Sequence, residues 1–229
     1  MRRTSWLVLL LITGTLLLPG LAHASNAGAG EFTKASGVIG PAVVWKLPSK
    51  KVQRKFIAEW QECRSHSQDL DCIASVMRRG GALPAAIAFT RRMDGDAYAE
   101  SFRKMGPVDL ISVFYPTRAN TNQAYFMVNG TPPLVSAEDH LRRIDITQDP
   151  RYPAIVKKFP KIMLWQGGPV FKEMQRLAGG GQRFVFAYFL LNGCHACKVG
   201  GSAYVAFDFD ARGTFEGTKL LRLTESPPE

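Results

Sequence analysis

Phe184-Val185-Phe186-Ala187-Tyr188-Phe189-Leu190-Leu191 is an unbroken apolar run, rich in aromatic residues. Its length and its apolar character on both faces read as a central strand of a sheet. Downstream, Tyr204-Val205-Ala206-Phe207-Asp208-Phe209 alternates, with Val205, Phe207 and Phe209 turned inward and Asp208 outward. Asp210-Ala211-Arg212-Gly213 has turn composition, and Thr214 to Leu223 supplies the next strand. This C-terminal third therefore reads as an antiparallel sheet.

Upstream, Asp109 to Tyr115 and Ala124 to Val128 are β-rich, the second closed by Asn129-Gly130. The loop between them begins Tyr115-Pro116-Thr117-Arg118-Ala119-Asn120. It reads either as ordinary turn chemistry or as a recognition loop anchored by Arg118. Helical periodicity marks Val52 to Trp60, with Val52, Phe56, Ile57 and Trp60 on one stripe. A second helix runs from Cys72 to Arg79 and stops at Gly80-Gly81, and a third starts at Pro84. A fourth is expected over Ala97 to Met105, a short one after Ser136 through Ile144, and another over Tyr152 to Phe159. Trp165-Gln166-Gly167-Gly168-Pro169 reads as a turn beside a core tryptophan. The fold class is α+β, a helical N-terminal half packed on an antiparallel β-sheet formed mainly by the C-terminal half.

Arg2 and Arg3 precede an apolar stretch from Trp6 to Leu18, and Ala22-His23-Ala24 follows Pro19-Gly20. That order predicts a cleaved secretory signal over residues 1–24 and a periplasmic or secreted protein, since the apolar run is short for a membrane span. Residues 25–40, rich in Gly, Ala and Ser, read as a flexible leader, and 41–229 as a single domain. The formal charge is +10, and loss of Arg2 and Arg3 with the signal leaves +8. For an exported chain this favours an anionic envelope surface or an acidic protein partner over nucleic acid. It also fits a solubilising surface charge with no partner. No later segment has the length for stable membrane insertion. The four cysteines form two close pairs, Cys63/Cys72 and Cys194/Cys197, and an oxidising compartment would close each as a local disulfide.

Cys194-His195-Ala196-Cys197 is the segment with most chemical content. A Cys-x-x-Cys after a hydrophobic strand suggests thiol–disulfide exchange. That chemistry wants a helix N-terminus to lower the thiol pKa, and Lys198-Val199-Gly200-Gly201 is a poor helix opening. Haem attachment wants His where Lys198 stands, and a metal site lacks a fourth ligand at recognisable spacing. No cofactor or metal is called for, and no catalytic set is assigned. His66 and His140 stand outside any recognisable motif, and Asp208 with Asp210 read as a solvated strand edge. In the remaining reading the disulfide holds His195 at a rigid tip, so that inserting it into a cleft costs little entropy.

Residues 184–217 resemble the Ivy-type periplasmic lysozyme inhibitors. The matching elements are Ala187 to Leu191, then Cys194-His195-Ala196-Cys197, then Gly201-Ser202 leading into the strand through Phe207. The family's loop is Cys-Lys-Pro-His-Asp-Cys, and its His enters the hydrolase active site. This chain has two residues between the cysteines rather than four, and neither the Pro nor the Asp. What the resemblance implies is an inhibitor of a cell-wall hydrolase, or a binder of another envelope protein, acting through His195. The alternative from the residues alone is a periplasmic thiol–disulfide redox protein using Cys194 and Cys197.

Overall fold

The computed structural model describes residues 37–65 and 69–225. The expected signal and most of the expected leader lie outside them, as does His66. Within the described residues the leader gives way to the fold earlier than expected. Ile39 is buried, its N–H donates to Asn129 Oδ1 at 2.7 Å, and its carbonyl accepts from Asn129 Nδ2 at 2.8 Å.

The chain is α+β, with three helices first: α1 (Lys50–Ser65), α2 (Leu70–Arg79) and α3 (Pro84–Arg92). Asp69 caps α2 by accepting from the N–H groups of Asp71 and Cys72, and Pro84 opens α3 where a missing N–H costs nothing. The Cys63–Cys72 disulfide joins α1 to α2 across a Cα separation of 5.6 Å. Four strands follow, β1 (Tyr98–Arg103), β2 (Asp109–Phe114), β3 (Gln123–Val128) and β4 (Leu134–Ser136), as an antiparallel meander. After α4 (Tyr152–Lys158), the strands β5 (Ile162–Leu164), β6 (Val170–Arg176), β7 (Gln182–Asn192), β8 (Val199–Phe209) and β9 (Phe215–Thr224) form a second antiparallel sheet. Strand β7 is central, with β8 along one edge and β6 then β5 along the other.

Alternation sorts the small sheet's side chains between two neighbours. Leu110, Met127 and Val135 face the large sheet and meet Phe184, Phe186, Tyr188, Val205, Phe207 and Phe209. Ile111, Val113, Ala124 and Phe126 face the other way, against Phe89 of α3 and the incoming Ile39 and Val43. A third cluster, Trp45, Trp60, Ile73, Met77 and Tyr98, lies under α1 and α2. The layers are therefore helices, small sheet and large sheet, and α4 closes one end against Leu190, Ala203 and Leu223.

Most polar groups taken into this interior are satisfied; Thr90 Oγ1 and Trp165 Nε1 are the buried side-chain atoms without a partner among the described residues. Gln182 imitates a peptide unit: its Oε1 accepts from Val108 N–H at 2.7 Å, and its Nε2 donates to Val108 O at 3.0 Å. Tyr188 Oη donates to Ala137 O at 2.6 Å, and burial pushes its phenol well above the usual range. Asp109 accepts from Met105 N–H, Asn129 Nδ2 and Lys104 Nζ at 2.8–3.0 Å. Burial raises its carboxyl pKa, but these donors outweigh burial and hold it below the usual carboxylate value.

Two expectations are corrected. Ala97 to Met105 is not a helix: Tyr98–Arg103 is strand β1, paired with β2. Its Ala, Glu, Arg and Lys favour a helix locally, but Ala97, Tyr98 and Ala99 are buried between helices and sheet, and packing overrides propensity. Ser136 does not cap a helix; it ends β4, and two 3-10 turns, Leu141–Arg143 and Ile146–Gln148, follow it before α4. The sequence pattern does not announce β5, which is three residues long, or β6, whose bulge between Phe171 and Glu173 breaks the alternation.

Two outcomes follow. Replacing Cys63 and Cys72 by Ala opens a loop of about ten residues and should lower stability by about 2–3 kcal/mol on chain entropy, measured by urea unfolding. Asp109→Ala should cost at least about 2 kcal/mol at neutral pH, since it strips partners from charge-assisted bonds. Because the folded pKa is depressed, that contribution is complete above the unfolded carboxylate pKa and is lost as pH falls through the folded one. The gap between the two proteins should narrow in acid.

Candidate functional site

The β7–β8 hairpin stays in register from Gln182↔Phe209 to Leu191↔Val199, with a bulge near its end, and then closes through the Cys194–Cys197 turn. Cys197 N–H donates to Cys194 O at 3.0 Å, and Asn192 N–H to Lys198 O at 3.0 Å. The disulfide adds a covalent closure over a Cα separation of 5.0 Å. Gly193 enters the turn at φ 97°, and a Cβ there would press on Lys161 at 3.3 Å. His195 and Ala196 occupy the two central positions of the turn, and both are exposed.

His195 leans on the indole of Trp165, with ring centroids 4.9 Å apart. Trp165 is placed by its own backbone, whose N–H donates to Phe189 O at 2.9 Å just beyond β5. Its Nε1 is buried and has no hydrogen-bond partner among the described residues. Two lysines flank the tip. Lys161 lies against Gly193 and donates its backbone N–H to Asn192 Oδ1 at 2.9 Å, while Lys198 Nζ sits 5.5 Å over the Phe159 ring. Both are exposed, and neither has an acidic partner among the described residues.

The same end of the molecule takes in the loop of residues 116–123. Asn122 clamps it, donating from Nδ2 to the carbonyls of Tyr115 and Arg118. Thr121 reaches the 165–169 turn, where a Cβ on Gly167 would stand 3.0 Å from Thr121 Oγ1. An open groove of about 470 Å³ lies here, lined by Thr121, Gln123, Tyr125, Gly168 and Pro169 among others. The Trp165–Pro169 turn thus touches the groove on one side and the histidine tip on the other.

Arg118 is not presented there as a free anchor. Its guanidinium stacks on the Tyr115 ring at 3.4 Å, and Nη1 donates to both carboxylate oxygens of Glu138 at 2.9 and 3.2 Å. Burial first, and then neighbouring acids, lift Tyr115 to about 12 against the opposing Arg118, so a neutral phenol receives the cation. Arg118 braces its loop against the segment after β4. Cys63 and Cys72 belong to the helical layer and take no part in this end.

Other groups with chemical potential are committed elsewhere. Asp208 is held by Arg183 at 2.6 and 2.8 Å and by Lys219 at 3.3 Å. Asp210 caps its turn, accepting from Arg212 and Thr214 N–H groups at 2.8 Å. His140 packs on Phe215 at 4.9 Å, and burial lowers its pKa. Among the described residues no three His, Cys, Asp or Glu side chains gather as metal ligands. Trp165, Lys161 and Lys198 were not assigned from the sequence. Trp165 lies thirty positions before His195, and no local spacing signals their contact.

Compared with family models, with curated proteins and with solved structures, the chain matches none.

The cysteines of the tip lie in a β-turn rather than at a helix N-terminus, so the dipole that activates an exchange thiol is missing. A structural bridge should show a reduction potential below about −300 mV by equilibration with dithiothreitol. A value between about −120 and −270 mV would place it with exchange catalysts instead.

Proposed function

We propose that this chain is an exported binding protein that blocks a cell-wall hydrolase by placing the His195 turn in its cleft. The observation that carries the reading is an exposed histidine fixed in a disulfide-closed turn, backed by Trp165 and flanked by two lysines that have no acidic partner among the described residues. A turn held by a hydrogen bond, a disulfide and a hairpin has little freedom left to lose on insertion. Glycoside hydrolases work with a pair of carboxyl groups across the scissile bond. A cationic tip with an imidazole donor complements such a cleft, and Lys161 and Lys198 would steer the encounter. The likeness of residues 184–217 to the Ivy-type inhibitors points the same way. With a formal charge of +8 once Arg2 and Arg3 leave with the signal, the exported chain is repelled by a strongly basic hydrolase, so the target is an enzyme with an acidic mouth.

Thiol–disulfide exchange is the second reading, and the exposure of Cys194 is what favours it. It requires the thiolate to form readily, and Lys198 is the one cation next to the motif in sequence.

The test is a screen of the purified protein against periplasmic and animal cell-wall hydrolases, repeated with His195→Ala. Stability should shift by no more than about 0.5 kcal/mol, since the residue is exposed. Inhibition should weaken by about thirtyfold, the equivalent of about 2 kcal/mol for a central anchor. Equal potency of the two proteins would remove His195 from the mechanism. Failure to inhibit any hydrolase would remove the function.

A further inference from the structure

The helical layer carries a charge distribution that folding does not explain. Lys50, Lys51, Arg54 and Lys55 fall within the first two turns of α1, which has no acid in its first turn. They oppose the helix macrodipole, whose positive end is at the N-terminus. The spacing adds two like-charge pairs four residues apart, Lys50 with Arg54 and Lys51 with Lys55, each unfavourable on an isolated helix. All four side chains are exposed, as are Lys46 just before the helix and Arg78 at the end of α2. Glu59 is the nearby acid, and it already serves Lys55 at 4.0 Å and Arg79 at 2.6 Å. Lys46, Lys50, Lys51, Arg54 and Arg78 have no ion-pair partner among the described residues.

An exposed apolar residue belongs to the same helical layer. Leu83 is 54% exposed, in the turn between α2 and α3. That turn rests on the ring that Lys46 follows in sequence: Trp45 Nε1 donates to Gly80 O at 2.9 Å, and a Cβ on Gly80 would collide with both Trp45 and Phe56. Lys46 and Lys55 are the chain neighbours of Trp45 and Phe56, whose rings, 5.7 Å apart, both meet Gly80 at the start of that turn. The local rings are turned inward and stack on one another, so the patch offers no exposed aromatic face for a nucleic-acid base. Its cations are mostly lysines, point charges suited to a diffuse negative surface.

We propose that this face of α1, with Leu83 of the same layer, docks the protein on the surface of an anionic phospholipid bilayer. Lysines near such a surface gain from its negative potential, and one exposed leucine can enter the headgroup boundary without insertion of a helix. No helix among the described residues is long and apolar enough to cross a membrane. The surface is separate from the His195 tip, so this proposal stands or falls independently of hydrolase binding.

The test is cosedimentation of the purified full chain with phosphatidylcholine vesicles, and with vesicles containing about one-third phosphatidylglycerol. The neutral vesicles account for any apolar contribution from Trp6 to Leu18, and the anionic increment is the quantity read. A triple variant, K50E/K51E/R54E, should lose that increment at least about tenfold, given roughly a fivefold effect per charge at such a surface. A control with the same charge change away from α1, K157E in the last turn of α4 with K161E and K198E beside the tip, should retain it, and Leu83→Ser should reduce total binding to the anionic vesicles. Salt at about 0.5 M should abolish the increment in the parent. The triple variant should melt no lower than the parent, because acids at a helix N-terminus are favourable. That separates lost docking from lost folding. Absence of an anionic preference, equal loss in both triple variants, or loss in the tip variant alone would overturn the proposal. So would retention on immobilised nucleic acid without vesicle binding.

Discussion

The large sheet cannot stand alone, because the inner face of β7 and β8 is a block of aromatic rings that must be kept dry. Phe184, Phe186, Phe207 and Phe209 are fully buried, and each contributes about 1.5–3 kcal/mol by leaving water. Together they supply an amount of the order of a whole domain's net stability. The small sheet exists to cover this face, and the helices in turn cover the back of the small sheet. Hydrogen bonds add only about 1 kcal/mol each, yet they set how the sheets meet. Gln182 pins one margin of the interface to Val108, and Tyr188 pins the other to Ala137. Packing supplies the energy, and these polar contacts select one arrangement.

What the sequence made legible follows from this division. Strand β7 reads plainly because its outward residues Val185 and Ala187 are buried as well, leaving no polar interruption. The helices read plainly because each has one wet face. Strand β1 does not, since it lies between helices and sheet and its small and polar residues carry no strong period. Strands β5 and β6 share one edge of β7, are short or bulged, and have mixed exposure. Alternation signals a half-buried strand, and the elements that depart from it are the ones that were missed.

The site divides in the same way. The turn bearing His195 was evident from two cysteines and a histidine within four residues. Its surroundings were not, because Trp165, Thr121 and Lys161 arrive from elements distant in the chain. Arg118 shows the converse. Its loop reads either as turn chemistry or as a recognition element, and the guanidinium is engaged by Tyr115 and Glu138. An arginine in a polar loop looks the same in sequence whether its partner is internal or external. Only the packing distinguishes the two.

The hairpin that carries the tip has a further property. Its strands are fixed by pairing along both edges of β7 and by the rings on their inner face, while the turn beyond Asn192 places no side chain in the core. The bridge from Cys194 to Cys197 spans so few residues that it organises the turn and nothing beyond it. The turn meets the scaffold through surface contacts, His195 on Trp165 and Gly193 beside Lys161. Turns of other lengths and compositions should therefore be accepted at this position while the fold beneath remains the same.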